Sequence, residues 1–211
     1  MRPEVVDAAS FQAASGASDA RMADLERFRA LLAEWNANLN LVGPSALQAF
    51  WPRHAWDSAQ LLEIEPRART WADLGAGAGF PGLVLAILLK DTPGAHVHLV
   101  ESLAKRCRFL DAVVGTLNLP ATVHNARAEA LSLKVEAVTA RAVAPLHKLL
   151  GFAEPYLKSG AAGLFLKGQD VVSELTEATR YWKFDVKLTP SLSSSEGQVV
   201  RVRGLSRVRK V

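Results

Sequence analysis

Between two apolar runs the chain reads Asp73-Leu74-Gly75-Ala76-Gly77-Ala78-Gly79-Phe80-Pro81-Gly82, with glycine at every second position from Gly75 to Gly79. An apolar run, a glycine loop and a second apolar run fit a strand that turns sharply into a helix. Glycine at Gly75, Gly77 and Gly79 removes the Cβ atoms that would block a close approach and permits positive φ where the loop turns. The loop therefore calls for a fold in which backbone comes up against a nucleotide-like ligand.

After Pro66 short apolar runs alternate with longer amphipathic ones, the pattern of repeated βα units around a mostly parallel sheet. The pattern predicts strands near 69–74, 95–101, 121–125, 135–141 and 162–167. Helices fall over about 81–90, 103–118, 145–158 and 170–181. Two last strands, near 184–189 and 197–203, are joined by a stretch too short for a crossover helix, so they pair antiparallel. The sum is an α/β fold of five parallel strands with a terminal hairpin.

The first 65 or so residues read as a helical extension to a 66–211 domain. Met22, Leu25, Phe28, Leu32, Trp35 and Leu39 recur at spacings of three and four, one apolar stripe on a helix that starts at Ser18. Ser45 reads as an N-cap after Gly43-Pro44, and Pro52 as the start of a further helix running to about Ile64. Residues 1–18, rich in Ala and Ser, offer few large apolar groups and read as poorly ordered.

At 211 residues and 49% hydrophobic, the chain can bury one good-sized core. The single cysteine, Cys107, allows no internal disulfide, and the N-terminus has no secretory apolar region, so a cytoplasmic protein is expected. The longest apolar run, Leu83 to Leu89, is far short of the roughly 20 residues that span a membrane. A net charge of +4 is compatible with a polyanionic partner without requiring one. A monomer is the default state.

Gly77 to Gly82 matches the dinucleotide fingerprint G-x-G-x-x-G, and Glu101 stands near the distance at which that fold places its ribose-binding acid. The register favours a different ligand. With the strand ending at Asp73, a carboxylate stands at the mouth of the loop, where a pyrophosphate with about two negative charges would be repelled. S-adenosylmethionine, with a sulfonium and an ammonium group and no phosphate, suits Asp73. Asp73 could instead satisfy loop N–H groups and never meet a ligand, and Glu101 could cap the following helix through Ser102.

Other polar groups have two readings each. Lys105, Arg106 and Arg108 follow Glu101 on one helix, and Arg201, Arg203, Arg207, Arg209 and Lys210 form a second basic cluster. Both fit RNA phosphates, and both fit a solvated face or a protected sheet edge. His96 and His98 share a strand face without a third ligand, so no metal site is assigned. Cys107 reads as a structural thiol. In Arg53-His54-x-x-Asp57-Ser58 both i,i+4 pairs lie on adjacent faces of a helix, giving either an Arg53–Asp57 ion pair or a functional cluster around His54.

Several ordered motifs accompany the loop: Trp35-Asn36 with Asn40-Leu41, Arg53-His54-x-x-Asp57-Ser58, Glu101-Ser102-Leu103-x-Lys105-Arg106, Arg127-Ala128-Glu129, Thr139-Ala140-Arg141-Ala142 and Leu166-Lys167-Gly168-Gln169. From about Trp35 to Val202 the chain resembles the bacterial 16S ribosomal RNA (guanine-N7)-methyltransferase family RsmG, also called glucose-inhibited division protein B. The resemblance implies a doubly wound, Rossmann-like class I methyltransferase fold, with a mostly parallel seven-stranded sheet and a C-terminal antiparallel hairpin. It also implies S-adenosyl-L-methionine as cofactor and, as substrate, a guanosine in the decoding region of 16S rRNA, presented as free RNA, 30S subunit or assembly intermediate. Cofactor contacts are expected at Asp73, Gly75, Gly77, Gly79, Phe80, Glu101, Ala128, Glu129 and Arg141. RNA contacts are expected at Arg53, Lys105, Arg106, Lys167, Arg201 and Arg203. Guanine N7 carries an in-plane lone pair and no proton, so no general base is assigned, and His54 and Arg141 are positioning candidates. An NAD(P)-dependent oxidoreductase and a non-catalytic RNA-binding protein holding an adenosine-type ligand remain the alternatives.

Overall fold

A computed structural model describes residues 4–208. Four helices come first: α1 (Ala8–Ser15), α2 (Asp19–Leu39), α3 (Pro44–Gln48) and α4 (Trp56–Ile64). There follow β1 (Thr70–Leu74), α5 (Gly82–Leu88), β2 (His96–Glu101), α6 (Ala104–Leu117), β3 (Ala121–Asn125) and β4 (Ala137–Arg141). The chain continues through α7 (Leu146–Lys158), β5 (Ala162–Lys167), α8 (Val171–Ala178), β6 (Trp182–Pro190) and β7 (Gln198–Arg207).

The seven strands lie in the order β3-β2-β1-β4-β5-β7-β6. Strands β1 to β5 pair in parallel, while β7 runs antiparallel to both β5 and β6. The expected doubly wound sheet and hairpin are thus both present. The hairpin folds back so that its second strand, not its first, joins the parallel sheet. From β1 the chain winds one way to β3, then returns to lay β4 on the other side of β1. That reversal opens a crevice at the carboxyl ends of β1 and β4, where α/β sheets bind ligands.

Alternation along the strands gives each face its own core. Trp71, Val97 and Leu99 join α2, α5 and α6 on one face, and Ala72, Leu74 and Val100 join α7 and α8 on the other. The stripe read on α2 is largely buried at Met22, Leu25, Phe28 and Leu32. Phe28 reaches the glycine loop, its ring 5.3 Å from that of Phe80 and 5.6 Å from that of Phe50. The N-terminal helices therefore back the crevice directly.

Three local expectations are corrected. Residues 8–15 are a helix rather than a loose tail: Asp7 and Ser10 form a reciprocal capping box, and Phe11 is fully buried with its ring 5.2 Å from Trp51 and 6.0 Å from Trp56. One aromatic residue anchors a segment whose average composition is poor. Residues 1–3 of that expectation lie outside the described residues. Ser45 sits inside α3, with Gly43 at its N-cap. No α-helix starts at Pro52; Phe50–Ala55 is a π-helical turn, in which His54 N donates to Ala49 O at 3.3 Å. Pro52 lacks an N–H, and the wider turn lets the following residues re-register before α4.

Among the described residues no helix is long and apolar enough to cross a membrane. Replacing Phe11 with Ala is expected to lower the unfolding free energy by about 3–5 kcal/mol in urea titration, as for other buried aromatics. A loss below about 1 kcal/mol would show that α1 adds little to the fold.

Candidate active site

The glycine loop is pinned at three points. Gly75 N and Ala76 N both donate to Val100 O, at 2.8 and 3.0 Å, so the loop crosses the end of β2. Gly77 N donates to Glu101 Oε2 at 3.1 Å, while Leu103 N donates to the other oxygen, Oε1, at 2.8 Å. The third point is Asp73, whose Oδ2 accepts from Gly82 N at 2.8 Å. Gly75, Gly77 and Gly79 have φ of +69°, +55° and +90°, and a Cβ on Gly75 would stand 2.7 Å from Val143 Cγ2 in the loop after β4. Expectation and geometry agree here: only glycine suits these positions.

Asp73 itself does not stand open at the loop mouth. It is fully buried, its Oδ1 has no hydrogen-bond partner, and burial pushes its carboxyl up to about 7. At neutral pH such a group is only partly ionised, so it attracts a cationic ligand less than an exposed aspartate would. Its structural work is to hold the start of α5 against β1.

Beyond the loop, Arg141 ends β4 and forms a wall. Its Nη1 donates to His54 Nδ1 at 2.8 Å, and its guanidinium carbon lies 5.0 Å from the centre of the Phe80 ring, with His54 stacked on the same ring at 4.9 Å. Because arginine only donates, His54 must accept through Nδ1 and carry its proton on Nε2. Burial and the nearby Arg141 and Arg53 charges hold the imidazole down at about 4, hence neutral. Phe80 is buried between this pair and Phe28, so its side chain is part of the wall.

Beside Arg141 an open cavity of about 610 Å³ is lined by Arg53, His54, Asp57, the 141–145 loop, Lys167 and the serines of the β6–β7 connection. Ala142, next to Arg141, takes a left-handed φ of 56°, a strained choice for alanine that turns the backbone along the cavity. Asp57 Oδ1 accepts from Gln60 Nε2 at 2.6 Å and from Ser191 Oγ at 2.8 Å, so α4 and the β6–β7 connection are tied at the rim. The glycine loop and a polar cavity thus meet at Val143, which packs on Gly75 and lines the cavity.

A family model described as rRNA small subunit methyltransferase G matches residues 21–201. The chain belongs to this family. The Ribosomal RNA small subunit methyltransferase G of Caulobacter sp. strain K31 is 66% identical over 206 residues, covering 98% of this chain and 93% of that protein. Its namesake in Parvibaculum lavamentivorans is 47% identical over 207 residues, 96% of this chain and 92% of the other. Among solved structures, a SAM dependent methyltransferase from Aquifex aeolicus aligns with a TM-score of 0.56 at 17% identity, over 81% of this chain and 97% of that one. An O-methyltransferase from Bacillus cereus in complex with SAH aligns with a TM-score of 0.57 at 15% identity, over 86% and 91% of the two chains. At these identities the likeness is one of fold.

In this member of the rRNA small subunit methyltransferase G family, the expected contact residues divide. Asp73, Gly75, Gly77, Gly79, Phe80, Glu101 and Arg141 gather at the crevice, and Ala128 and Glu129 begin a short turn after β3 at the same sheet edge. Glu129 is exposed and paired with Arg127 at 2.8 Å. Arg53 and Lys105 are exposed, and Arg106 lies 3.6 Å from Glu101. Three expected RNA contacts are already engaged within the protein. Lys167 Nζ binds Glu174 at 2.6 Å and Ala144 O at 2.7 Å, which fixes the 141–145 loop. Arg201 and Arg203 both pair with Glu65, at 2.6 and 3.1 Å, because alternate residues on β7 face the end of α4. Arg209 and Lys210 lie outside the described residues. No Arg53–Asp57 ion pair forms among the described residues, and Ser58 spends its hydroxyl on His54 O at 2.6 Å. Sequence reasoning missed the role of Ser191, whose tie to Asp57 joins residues 134 apart. The serine-rich connection was its only signal.

The buried Asp73 has a pH signature. An unfolded aspartate ionises near 4, whereas the folded chain keeps this proton up to about 7. Between those values the folded state binds more protons, so the contribution to stability is full below pH 4 and is lost as pH rises toward and through 7. Asp73→Asn removes the titration while keeping an acceptor for Gly82 N. The unfolding free energy of the natural protein minus that of the variant should therefore fall from pH 4 to 7.5 and then level off. A difference independent of pH over that range would contradict the burial of Asp73.

Proposed function

We propose that this chain transfers the methyl group of S-adenosylmethionine to N7 of a guanosine in 16S rRNA, acting in the cytoplasm as a monomer. The observation that carries this reading is that the cavity of about 610 Å³ adjoins the glycine loop, since Val143, which lines the cavity beside Arg141, packs on Gly75. A two-substrate transfer needs two such places that open on each other, so that acceptor and methyl group can meet in line.

The cradle suits the cofactor. At Gly77 a Cβ would meet only Gly75 O, at 3.6 Å, so the backbone there is open to a ligand. Glu101 closes β2 with a carboxylate able to accept from both ribose hydroxyls, once it releases or shares its bond to Gly77 N. Ala128 and Glu129 present backbone beyond β3 for the adenine edge, and Gly77, Gly79 and the Phe80 backbone line the turn. When bound, S-adenosylmethionine supplies a methyl group on a cationic sulfur. Asp73 supports the cradle from behind through Gly82.

No proton has to be removed from guanine N7 before it attacks, so the protein's task is alignment. His54 fits that task. Its Nδ1 is spent on Arg141, and the ring is neutral, which makes it a brace for the guanidinium. The exposed Arg53 and Lys105, with the half-buried Arg106 beside Glu101, are the cations left to meet RNA phosphates, which position a nucleic acid without reading its bases.

The test is transfer of a labelled methyl group to 16S rRNA and to 30S subunits from cells lacking the enzyme, followed by mapping of the modified atom. Label on a guanine N7 of 16S rRNA is expected. Label elsewhere, or none with S-adenosylhomocysteine bound, would overturn the reading. Arg141→Ala should cut kcat/KM about 100-fold, the scale of losing one well-placed polar group at a reaction centre. Full activity with unchanged cofactor affinity would remove Arg141 from the site.

A further inference from the structure

We propose that Asp57 reads the Watson–Crick edge of the target guanine and offsets the positive charge that the purine acquires. This rests on the methyl-transfer reading above, and it assigns the base selectivity that reading leaves open. Adenine and guanine both present N7 as an acceptor, so the atom that takes the methyl group cannot choose between them. The choice lies in the neighbouring positions. Guanine carries an acceptor at O6 and N–H donors at N1 and N2, whereas adenine carries a donor at N6 and a bare acceptor at N1.

The cavity offers the complement of a guanine edge. Arg141 and Asp57 both line it, and it meets the glycine loop at Val143, whose side chain packs on Gly75. Beside the proposed place of the methyl group the cavity thus presents a donor-only guanidinium and a carboxylate. A guanine entering with N7 toward the methyl group would offer O6 to the guanidinium and its N1–H edge to the carboxylate. An adenine would set its N6 donor against Arg141 and its N1 lone pair against Asp57.

Asp57 is built to be read from one side. Both protein donors, Gln60 Nε2 and Ser191 Oγ, go to Oδ1. Among the described residues Oδ2 accepts no hydrogen bond, and it is not sealed from solvent. Gln60 is fixed in turn, its Oε1 accepting from Leu192 N at 3.1 Å. The carboxylate is therefore held in place by α4 and the β6–β7 connection while one oxygen faces the cavity. During transfer the N7–carbon bond forms as the sulfur–carbon bond breaks, the bonding pair goes to sulfur, and the positive charge passes to the purine without loss of a proton. A fixed carboxylate at N1–H and N2–H strengthens its interaction as that charge develops.

The experiment compares 30S subunits reconstituted with guanosine or adenosine at the mapped target position. Asp57→Asn keeps the size of the side chain and an oxygen for Ser191 and Gln60, but it exchanges the free acceptor for a donor that suits adenine N1. The guanosine-to-adenosine ratio of kcat/KM is expected to fall by about 10- to 100-fold, the scale of a hydrogen bond to a charged group. Asp57→Glu should retain the ratio at a lower rate, and Ser191→Ala, which loosens only the tie to the rim, should slow both substrates alike. S-adenosylhomocysteine affinity of each variant reports that the cradle is intact. If Asp57→Asn slows both substrates with their ratio within about threefold of the natural protein, Asp57 is a clamp for the β6–β7 connection and the proposal is wrong. If the natural protein labels neither substrate, the methyl-transfer reading fails first and this assignment falls with it.

Discussion

The close seating of α5 on the sheet is the constraint from which the site follows. A Cβ on Gly82 would come within 2.3 Å of Leu99 Cδ2 and 2.7 Å of Asp73 Oδ2, so the helix can start this near β1 and β2 only with glycine there. With the helix so close, the seven residues between Leu74 and Gly82 must fold into a tight turn. Three glycines at positive φ supply it. Asp73 secures the junction from within the core, at the cost of a buried carboxyl group with one oxygen unsatisfied. That cost is tolerable because burial also raises the carboxyl to about 7, which lets it shed its charge.

Charge at the crevice is organised by Arg141 in the same way that packing is organised by Gly82. The guanidinium is desolvated, which lowers its affinity for a proton, while the charges of Asp57 and Asp73 act in the opposite sense. His54 accepts one N–H and Phe80 offers its ring face. These contacts also connect the N-terminal helices to the sheet, since Phe80 packs on Phe28 of α2 and His54 belongs to the π-helical turn before α4. The helical extension is therefore part of the site, and the wider turn around Pro52 is what swings His54 toward Arg141.

How far the sequence revealed this depended on whether a feature was local. The strand and helix order was legible because each element carries its own periodicity and each turn its own glycine or proline. Gly75, Gly77 and Gly79 were legible as a cradle because positive φ is a property of single residues. The burial of Asp73 was not, since it depends on how α5 seats from nine residues away. Lys167, Arg201 and Arg203 read as free cations because their partners, Glu174 and Glu65, are brought to them by β5, β7 and α4 only in the folded sheet. Phe11 was overlooked for the opposite reason: an average over Ala and Ser hid one side chain with a pocket between two tryptophans.

The glycine loop and the cavity beside Arg141 are made of different materials, which would suit the different tasks proposed for them. A loop of backbone groups presents the same donors whatever the neighbouring side chains, as a ligand that never varies would require. The cavity is walled by side chains from the π-helical turn and α4, the 141–145 loop, β5, α8 and the β6–β7 connection. Each is tied to another at the rim: Asp57 to Ser191, Gln60 to Leu192, and Lys167 to both Glu174 and the Ala144 carbonyl. A base lifted from an RNA has lost its stacking partners and needs a pocket already in shape, because ordering the pocket on arrival would subtract from the binding energy available for alignment. The engaged lysine and serines, unavailable as phosphate contacts, are therefore consistent with a cavity whose role is to hold one base in one orientation.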